Sequence, residues 1–495
     1  MLLGAAMVAS DPWFTHIDDE CTIVEFAARP ARQTVDLFLT GAGQHEHPPL
    51  YDLVLHGWLR ATGPRMRLLR LPSVVFFLAA LWTLAQAAGE LAGRRSANIL
   101  MWTGALWPYG FHFGRLATWY SFTFLLVALL TMAYLRFVHA PTAGRWFWVF
   151  MGSLALVYAN YFGWALLCCL TVDFAVRHRT ELAKVWRPIV GTWFLLIVAY
   201  LPLWRAFLGE VRGGVRPGGY SWFSLVLLGV YSLYCLFVSE SVAPWVWVLS
   251  VPAGIAVAAS LVVAWLGAPA AARRLLTYSI LLLALLTLLG IGNTRRLLLL
   301  APWLLVPMAV TLATLGNRCL RRVLVLSLAL AAGIGWFGTA ARRYYGAPRW
   351  VEPWQELAAD GAAAVRRGGV VIGNSPPLLF YLSYALAADQ PRGSDPLGRL
   401  LRTAGYEGVY DPEQWRAAGR PVGRQTLLIK GLHFGTPEGP VRDAELWLDH
   451  SCPLEMTRRL VPDPGWKGKQ RYFPQLGQLA WRIEVRRYTC AQGRK

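Results

Sequence analysis

The sequence predicts a mainly α polytopic membrane protein, a helical module of about ten crossings followed by a small soluble α/β domain. Three observations predict it. Apolar residues gather into runs close to the roughly 20 residues needed to cross a bilayer. Charged residues make up only 15% of the 495-residue chain against 56% hydrophobic, too little charge for a soluble protein of this length. From about residue 344 the composition turns to that of a water-soluble domain. The module is therefore read as residues 1–343 and the domain as residues 344–495.

Residues 1–10 are apolar but too short to span, and read as the end of a first helix. Residues 11–67 are polar and form a first outer loop. Apolar runs follow at 68–90, 97–113, 118–137, 146–176, 188–207, 221–238, 244–266, 275–292, 297–315 and 323–341. The run 146–176 is too long for one helix and is interrupted by Asn160, Tyr161 and Gly163, which predicts a hairpin. Arg94/Arg95, the stretches 136–145 and 177–187, Arg273/Arg274 and the stretch 318–322 are the cytoplasmic loops under the positive-inside rule. Even numbers of crossings separate them if 221–238 does not cross. The first loop and the tail then both lie outside. In the tail, Val370-Val371-Ile372 reads as a buried strand between helix-like stretches at 353–367 and 377–388, with further strands at 426–430 and 479–485. It holds neither a P-loop nor a complete GxGxxG.

The net charge of +20 is nearly all arginine, with five Lys. These arginines sit in short loops between apolar runs, which points to topology and anionic membrane lipids rather than nucleic acid. The seven Cys show no CxxC metal spacing. Cys452 and Cys490 lie in the polar tail and read as a disulfide if the tail is outside the cytoplasm, or as two free thiols.

The unusual chemistry is in the first outer loop. Asp18-Asp19-Glu20 are three consecutive acids in a loop near the membrane face, and His45-Glu46-His47-Pro48-Pro49-Leu50-Tyr51 follows about 25 residues on. A solvated loop and ordinary interface histidines are the plainer reading. Adjacent acids repel, which raises at least one pKa and suits a base. His45, Glu46 and His47 are spaced too tightly to share one face of a regular element. His47 is therefore read as orienting the loop or a phosphate; a divalent metal is the alternative, and no metal ligands are assigned. His56 reads as packed.

The order of pieces resembles the GT-C membrane glycosyltransferases, in the branch of protein O-mannosyltransferases and lipid A aminoarabinose transferases. The pieces are Asp19-Glu20, His47-Pro48-Pro49-Leu50-Tyr51, Leu69-Arg70-Leu71-Pro72-Ser73, Gly114-Arg115-Leu116-Ala117-Thr118-Trp119-Tyr120-Ser121 and Asn293-Thr294-Arg295-Arg296-Leu297-Leu298. They span roughly residues 15 to 315. The resemblance implies inverting transfer of a sugar from a polyprenyl-phosphate donor to a hydroxyl of a glycan, lipid or protein outside the cytoplasm, at the inner membrane of a bacterium. It assigns Asp19 as the base and Glu20 as its neighbour. Arg115, Arg295, Arg296 and His47 become the donor-phosphate contacts, because fixed positive charge stabilises a leaving phosphate. Asp18, His45, Glu46 and Tyr51 complete the loop around donor and acceptor. Many relatives carry a carboxylate just before the second-loop arginine; this chain has His112-Phe113-Gly114 there. A snorkelling surface residue is the other reading of Arg115. The rival functions are a transporter or flippase for lipid-linked sugars, for which Asp173 is the one acid well inside an apolar run, and an inactive membrane scaffold.

Overall fold

The computed structural model describes residues 1–11, 16–40, 47–179, 182–214, 222–288, 294–341, 353–387, 406–432, 438–460 and 482–490. It is mainly helical, with a mixed β-sheet near the C-terminus. The chain divides into two compact units. The first comprises Met1–Ala9, Pro30–Leu55 and Arg70–Ala341, and the second Ser10–Arg29, His56–Leu69 and Arg342–Lys495.

The helices run α1 (Leu2–Ala9), α2 (Asp18–Ala28), α3 (Ala31–Thr40), α4 (Leu50–Thr62), α5 (Leu71–Ala92), α6 (Arg94–Ala105), α7 (Pro108–Phe113), α8 (Trp119–His139) and α9 (Ala143–Ala159). They continue as α10 (Gly163–Arg177), α11 (Leu182–Tyr200), α12 (Trp204–Gly214), α13 (Trp222–Val238), α14 (Trp247–Gly267), α15 (Ala270–Leu288), α16 (Pro302–Thr314) and α17 (Arg318–Ala340). Among the described residues six helical stretches are long and apolar enough to cross a bilayer: Met66–Ala92, Trp119–His139, Ile189–Gly209, Trp247–Gly267, Ala270–Leu288 and Arg318–Ala340. Large apolar side chains such as Phe194, Val262 and Leu326 stay exposed on these helices, as expected where the surrounding solvent is lipid rather than water.

Local chemistry sets the breaks. Gly93, at φ 80°, turns α5 into α6, and Ser96 Oγ donates to the Ala88 and Gly93 carbonyls at 2.6 Å across that corner. The predicted hairpin in 146–176 is present: α9 ends at Ala159, Asn160 Oδ1 accepts from the Phe162 N–H at 2.8 Å, and α10 starts at Gly163. Asp173 is buried, with Arg177 Nε at 2.6 Å and Arg274 Nε at 2.9 Å. The hydroxyls of Tyr134 and Tyr278 donate to it at 2.6 and 3.3 Å. One carboxylate thus joins α8, α10 and α15.

Among the described residues, the segment 11–67 that the sequence predicts as a first outer loop is largely helical rather than irregular. Asp18, Asp19 and Glu20 form the first turn of α2, where the exposed N–H groups and the helix dipole favour negative charge. That local gain was not visible from the acids as a loop cluster.

The second unit also contains α18 (Trp354–Arg366), β1 (Val370–Gly373), α19 (Pro376–Ala387), β2 (Val409–Tyr410), α20 (Pro412–Ala417), β3 (Gln425–Leu432), α21 (Glu438–Ser451), β4 (Leu454–Leu460) and β5 (Arg482–Thr489). The sheet order is β2-β1-β3-β5-β4. β1 pairs in parallel with β2 and β3, while β5 runs antiparallel to both β3 and β4. Val370, Ile372, Trp415, Leu428, Leu448 and Tyr488 form its core. Cys452 and Cys490 are disulfide-bonded beside that core. A charge network crosses the sheet: Lys430 Nζ lies 2.7 Å from Glu484 and 2.9 Å from Glu445, and Arg486 reaches Glu445 at 2.6 Å, Glu484 at 2.7 Å and Asp449 at 2.9 Å.

Candidate functional site

In the first unit the segment His47-Pro48-Pro49 leads into α4. Proline fixes φ and suits the start of a helix, so the chain enters α4 in one direction. His47 Nδ1 lies 3.0 Å from the Pro48 carbonyl oxygen, and its ring packs against Trp119 with centroids 5.7 Å apart. Its Nε2 lies 3.9 Å from Asp52 Oδ1. Tyr51 is buried, with its hydroxyl 3.2 Å from Ser73 Oγ at the start of α5.

Asp52 is 1% exposed, and neither carboxylate oxygen has a hydrogen-bond partner. Burial pushes its carboxyl well above the usual carboxylate range. The sequence reading passed over Asp52, because an acid in the first turn of a helix has an ordinary role there.

Arg115 is 0% exposed, so it is not a snorkelling surface residue. It sits in the short buried link between α7 and α8, with its guanidinium 5.0 Å from the Phe111 ring centroid. The link is tight. A Cβ on Gly114 would collide with the Gly110 carbonyl and stand 2.6 Å from Phe77 Cδ2. Ser121 Oγ donates to the Gly114 carbonyl at 2.6 Å. Thr118 caps α8 by accepting from the Tyr120 N–H at 3.5 Å. The 3₁₀ turn Thr294–Leu299, which carries Arg295 and Arg296, packs against α7, α8 and α13. The backbone therefore brings the two arginine-bearing segments together; the side chains of Arg295 and Arg296 lie outside the described residues.

A second buried acid went unread. Glu240 lies in the turn after α13 and is the one acid between Glu210 and Glu352 in the sequence, a signal available from the start. Ser239 before it has φ 68°, a conformation that costs a non-glycine residue about 1–2 kcal/mol. Ser241 Oγ donates to the Gly335 carbonyl at 2.8 Å, and the turn fits because Gly335 and Gly338 have no side chains. Glu240 lies close enough to Tyr109 of α7 to act on it electrostatically.

In the second unit, Asp19 is partly exposed. Glu20 is buried and accepts from the Ile17 N–H at 3.1 Å, so it closes the start of its own helix. His16 anchors α2 to α19: the Tyr381 hydroxyl accepts from the His16 backbone N–H at 2.8 Å and lies 2.9 Å from its Nδ1. His56 is packed as expected, with Nδ1 2.8 Å from the Ala27 carbonyl. The structure thus groups Asp19 with Glu20 in one unit, and His47, Tyr51, Asp52 and Arg115 in the other. The Asp18 side chain, His45 and Glu46 lie outside the described residues. Among the described residues no three His, Cys, Asp or Glu side chains gather where a metal ion could be held.

No protein-family model matches the sequence, and no curated protein matches it. Solved structures do. ArnT from Cupriavidus metallidurans bound to undecaprenyl phosphate superposes with a TM-score of 0.53 at 14% identity, over 98% of this chain and 97% of that one. Its apo form gives the same TM-score at 15% identity and the same coverage. The fold is that of ArnT. The ArnT likeness runs nearly end to end, so it includes both the helical bundle and the region of the C-terminal sheet.

Proposed function

We propose that this protein is an inverting membrane glycosyltransferase that moves a sugar from a polyprenyl-phosphate donor to a hydroxyl on the outer side of a bacterial cell membrane. Asp19 takes the proton from the acceptor hydroxyl as the oxygen attacks the anomeric carbon. The bond from that carbon to the phosphate oxygen breaks, and polyprenyl phosphate leaves with the electron pair. Glu20, tied to the start of α2, holds the backbone under Asp19 rather than moving protons itself. Arg115, Arg295 and Arg296 take the charge that grows on the leaving phosphate. His47 and Tyr51 orient the entry to α4, and Asp18, His45 and Glu46 belong to the loop around donor and acceptor.

The observation that carries this reading is a fully buried Arg115, held in a link that only glycine allows, within a fold whose solved representative binds undecaprenyl phosphate. The Cys452–Cys490 disulfide supports placing the tail outside the cytoplasm, where disulfides persist. A transporter would need a carboxylate free to exchange its partners. Asp173 is instead held by two arginines and two tyrosines.

The test is transfer in membranes offered a panel of radiolabelled polyprenyl-phosphate sugars. One donor should label an acceptor with the wild type, and Asp19→Asn should lower the rate by about 10²–10⁴-fold while the protein stays folded. Unchanged transfer by Asp19→Asn, or no transfer from any donor, overturns the reading.

A further inference from the structure

We infer that a groove in the helical bundle, distinct from the residues assigned to sugar transfer, is a binding site for one anionic phospholipid drawn from the leaflet on the arginine-rich side. The groove has a volume of about 680 Å³ and is walled by α6, α16 and α17. Its wall is apolar, with Trp102, Met308 and Leu326 among the lining side chains, and Trp102 and Leu326 are themselves exposed, so it opens sideways to the surroundings. Two of the polar groups in the wall are already spoken for. Thr103 Oγ1 donates to the Ile99 carbonyl at 3.0 Å, and Trp107 Nε1 donates to the Leu236 carbonyl. Such a wall asks for hydrocarbon.

The mouth asks for an anion. Arg95, Arg321 and Arg322 line it, at the starts of α6 and α17, and among the described residues none of them is paired with a carboxylate. The positive-inside reading puts both helix starts on the cytoplasmic side. Depth matches one leaflet. Along α17, from Arg321 to Ala332, the lining covers roughly 17 Å of helix at 1.5 Å per residue. Half of a hydrocarbon core is about 15 Å. A cationic mouth over an apolar slot one leaflet deep fits a phosphate headgroup with its acyl chain.

The experiment is lipid retention by the purified full chain in neutral detergent, read by native mass spectrometry with phosphatidylglycerol and with phosphatidylcholine of the same acyl chains. The wild type should hold one phosphatidylglycerol with at least about tenfold preference. Arg95→Gln/Arg321→Gln/Arg322→Gln should lose about a hundredfold in affinity for it, since each charge near a headgroup is worth roughly fivefold. Ala332→Trp leaves the charges and fills the slot, and should release the lipid as well. Equal retention of the two lipids by the wild type, phosphatidylglycerol preference surviving the arginine changes, or retention surviving Ala332→Trp overturns the inference. One-for-one displacement by undecaprenyl phosphate also overturns it, and gives the groove to a carrier-lipid tail. The comparison within the wild type needs no variant to fold.

Discussion

Asp52→Asn is expected to change how stability depends on pH while leaving the shape of the site intact. The Asp52 carboxyl is buried, its oxygens have no hydrogen-bond partner, and burial raises its pKa well above that of a free aspartate. The sign follows from proton counting. Above about pH 3.9 the unfolded chain has lost this proton and the folded chain has not. The group's contribution is fully present below that value and is lost as pH rises, at about 1.4 kcal/mol per pH unit, until the folded-state pKa is reached. Asparagine does not titrate, so the stability advantage of Asp52→Asn over wild type should grow at that slope as pH rises from about 3.9 towards the folded-state pKa. Unfolding of both proteins in detergent measures it. Infrared spectroscopy gives an independent reading, as a protonated-carboxyl band lost in the variant. His47 Nε2, 3.9 Å away, would oppose the effect once protonated, and repeating the series in His47→Gln removes that neighbour. Parallel pH profiles for wild type and variant, with no protonated-carboxyl band above about pH 4, would refute the reasoning.

Gly114→Ala should cost about 1–3 kcal/mol through overpacking against Gly110 and Phe77, and should lower transfer by displacing Arg115. Gly144→Ala, where a Cβ meets open space, is the control, and thermal unfolding with a transfer assay reads both. Cys452→Ser/Cys490→Ser opens a loop of sequence separation 38, worth about 4 kcal/mol by chain entropy, and hydrogen exchange in β4 and β5 should rise. Lys430→Met should destabilise the second unit by about 3–5 kcal/mol by leaving Glu484 and Glu445 short of a buried partner, which chemical unfolding would register. Burial pushes the Glu484 pKa up, but hydrogen bonds from Lys430 and Arg486, with the charge of Lys430, bring it down to about 2. Its stabilisation is therefore present above about pH 4.3 and lost as pH falls through 2, visible as acid unfolding of the sheet by circular dichroism.

Much of the architecture was legible because hydropathy and punctuation are local signals. The break at Asn160 fell where the polar interruption stood, and Val370–Gly373 is a buried strand as its β-branched run predicted. The last strand ends at Thr489, beyond the expected 485, because its alternating Arg486, Arg487 and Tyr488 pair with β3 and β4. The candidate site was less legible. Asp18, Asp19 and Glu20 turned out to open a helix, and burial then separates the inward Glu20 from the partly exposed Asp19, a distinction only packing creates. The same holds for Asp52 and Glu240, whose significance is their burial rather than their spacing. Arg115 had the right neighbours in sequence, but that it is enclosed depends on the Gly114 approach to Phe77.

The carboxylate of Asp173 also limits how the bundle can move. Two guanidinium contacts below 3 Å, one from its own helix and one from α15, cannot both survive a slide of α15 along α10 by a single turn of about 5.4 Å. Piston-like travel of these helices is therefore blocked at that end. Any widening between these helices has to come from tilting about this pinned point, with the largest excursions at the opposite rim.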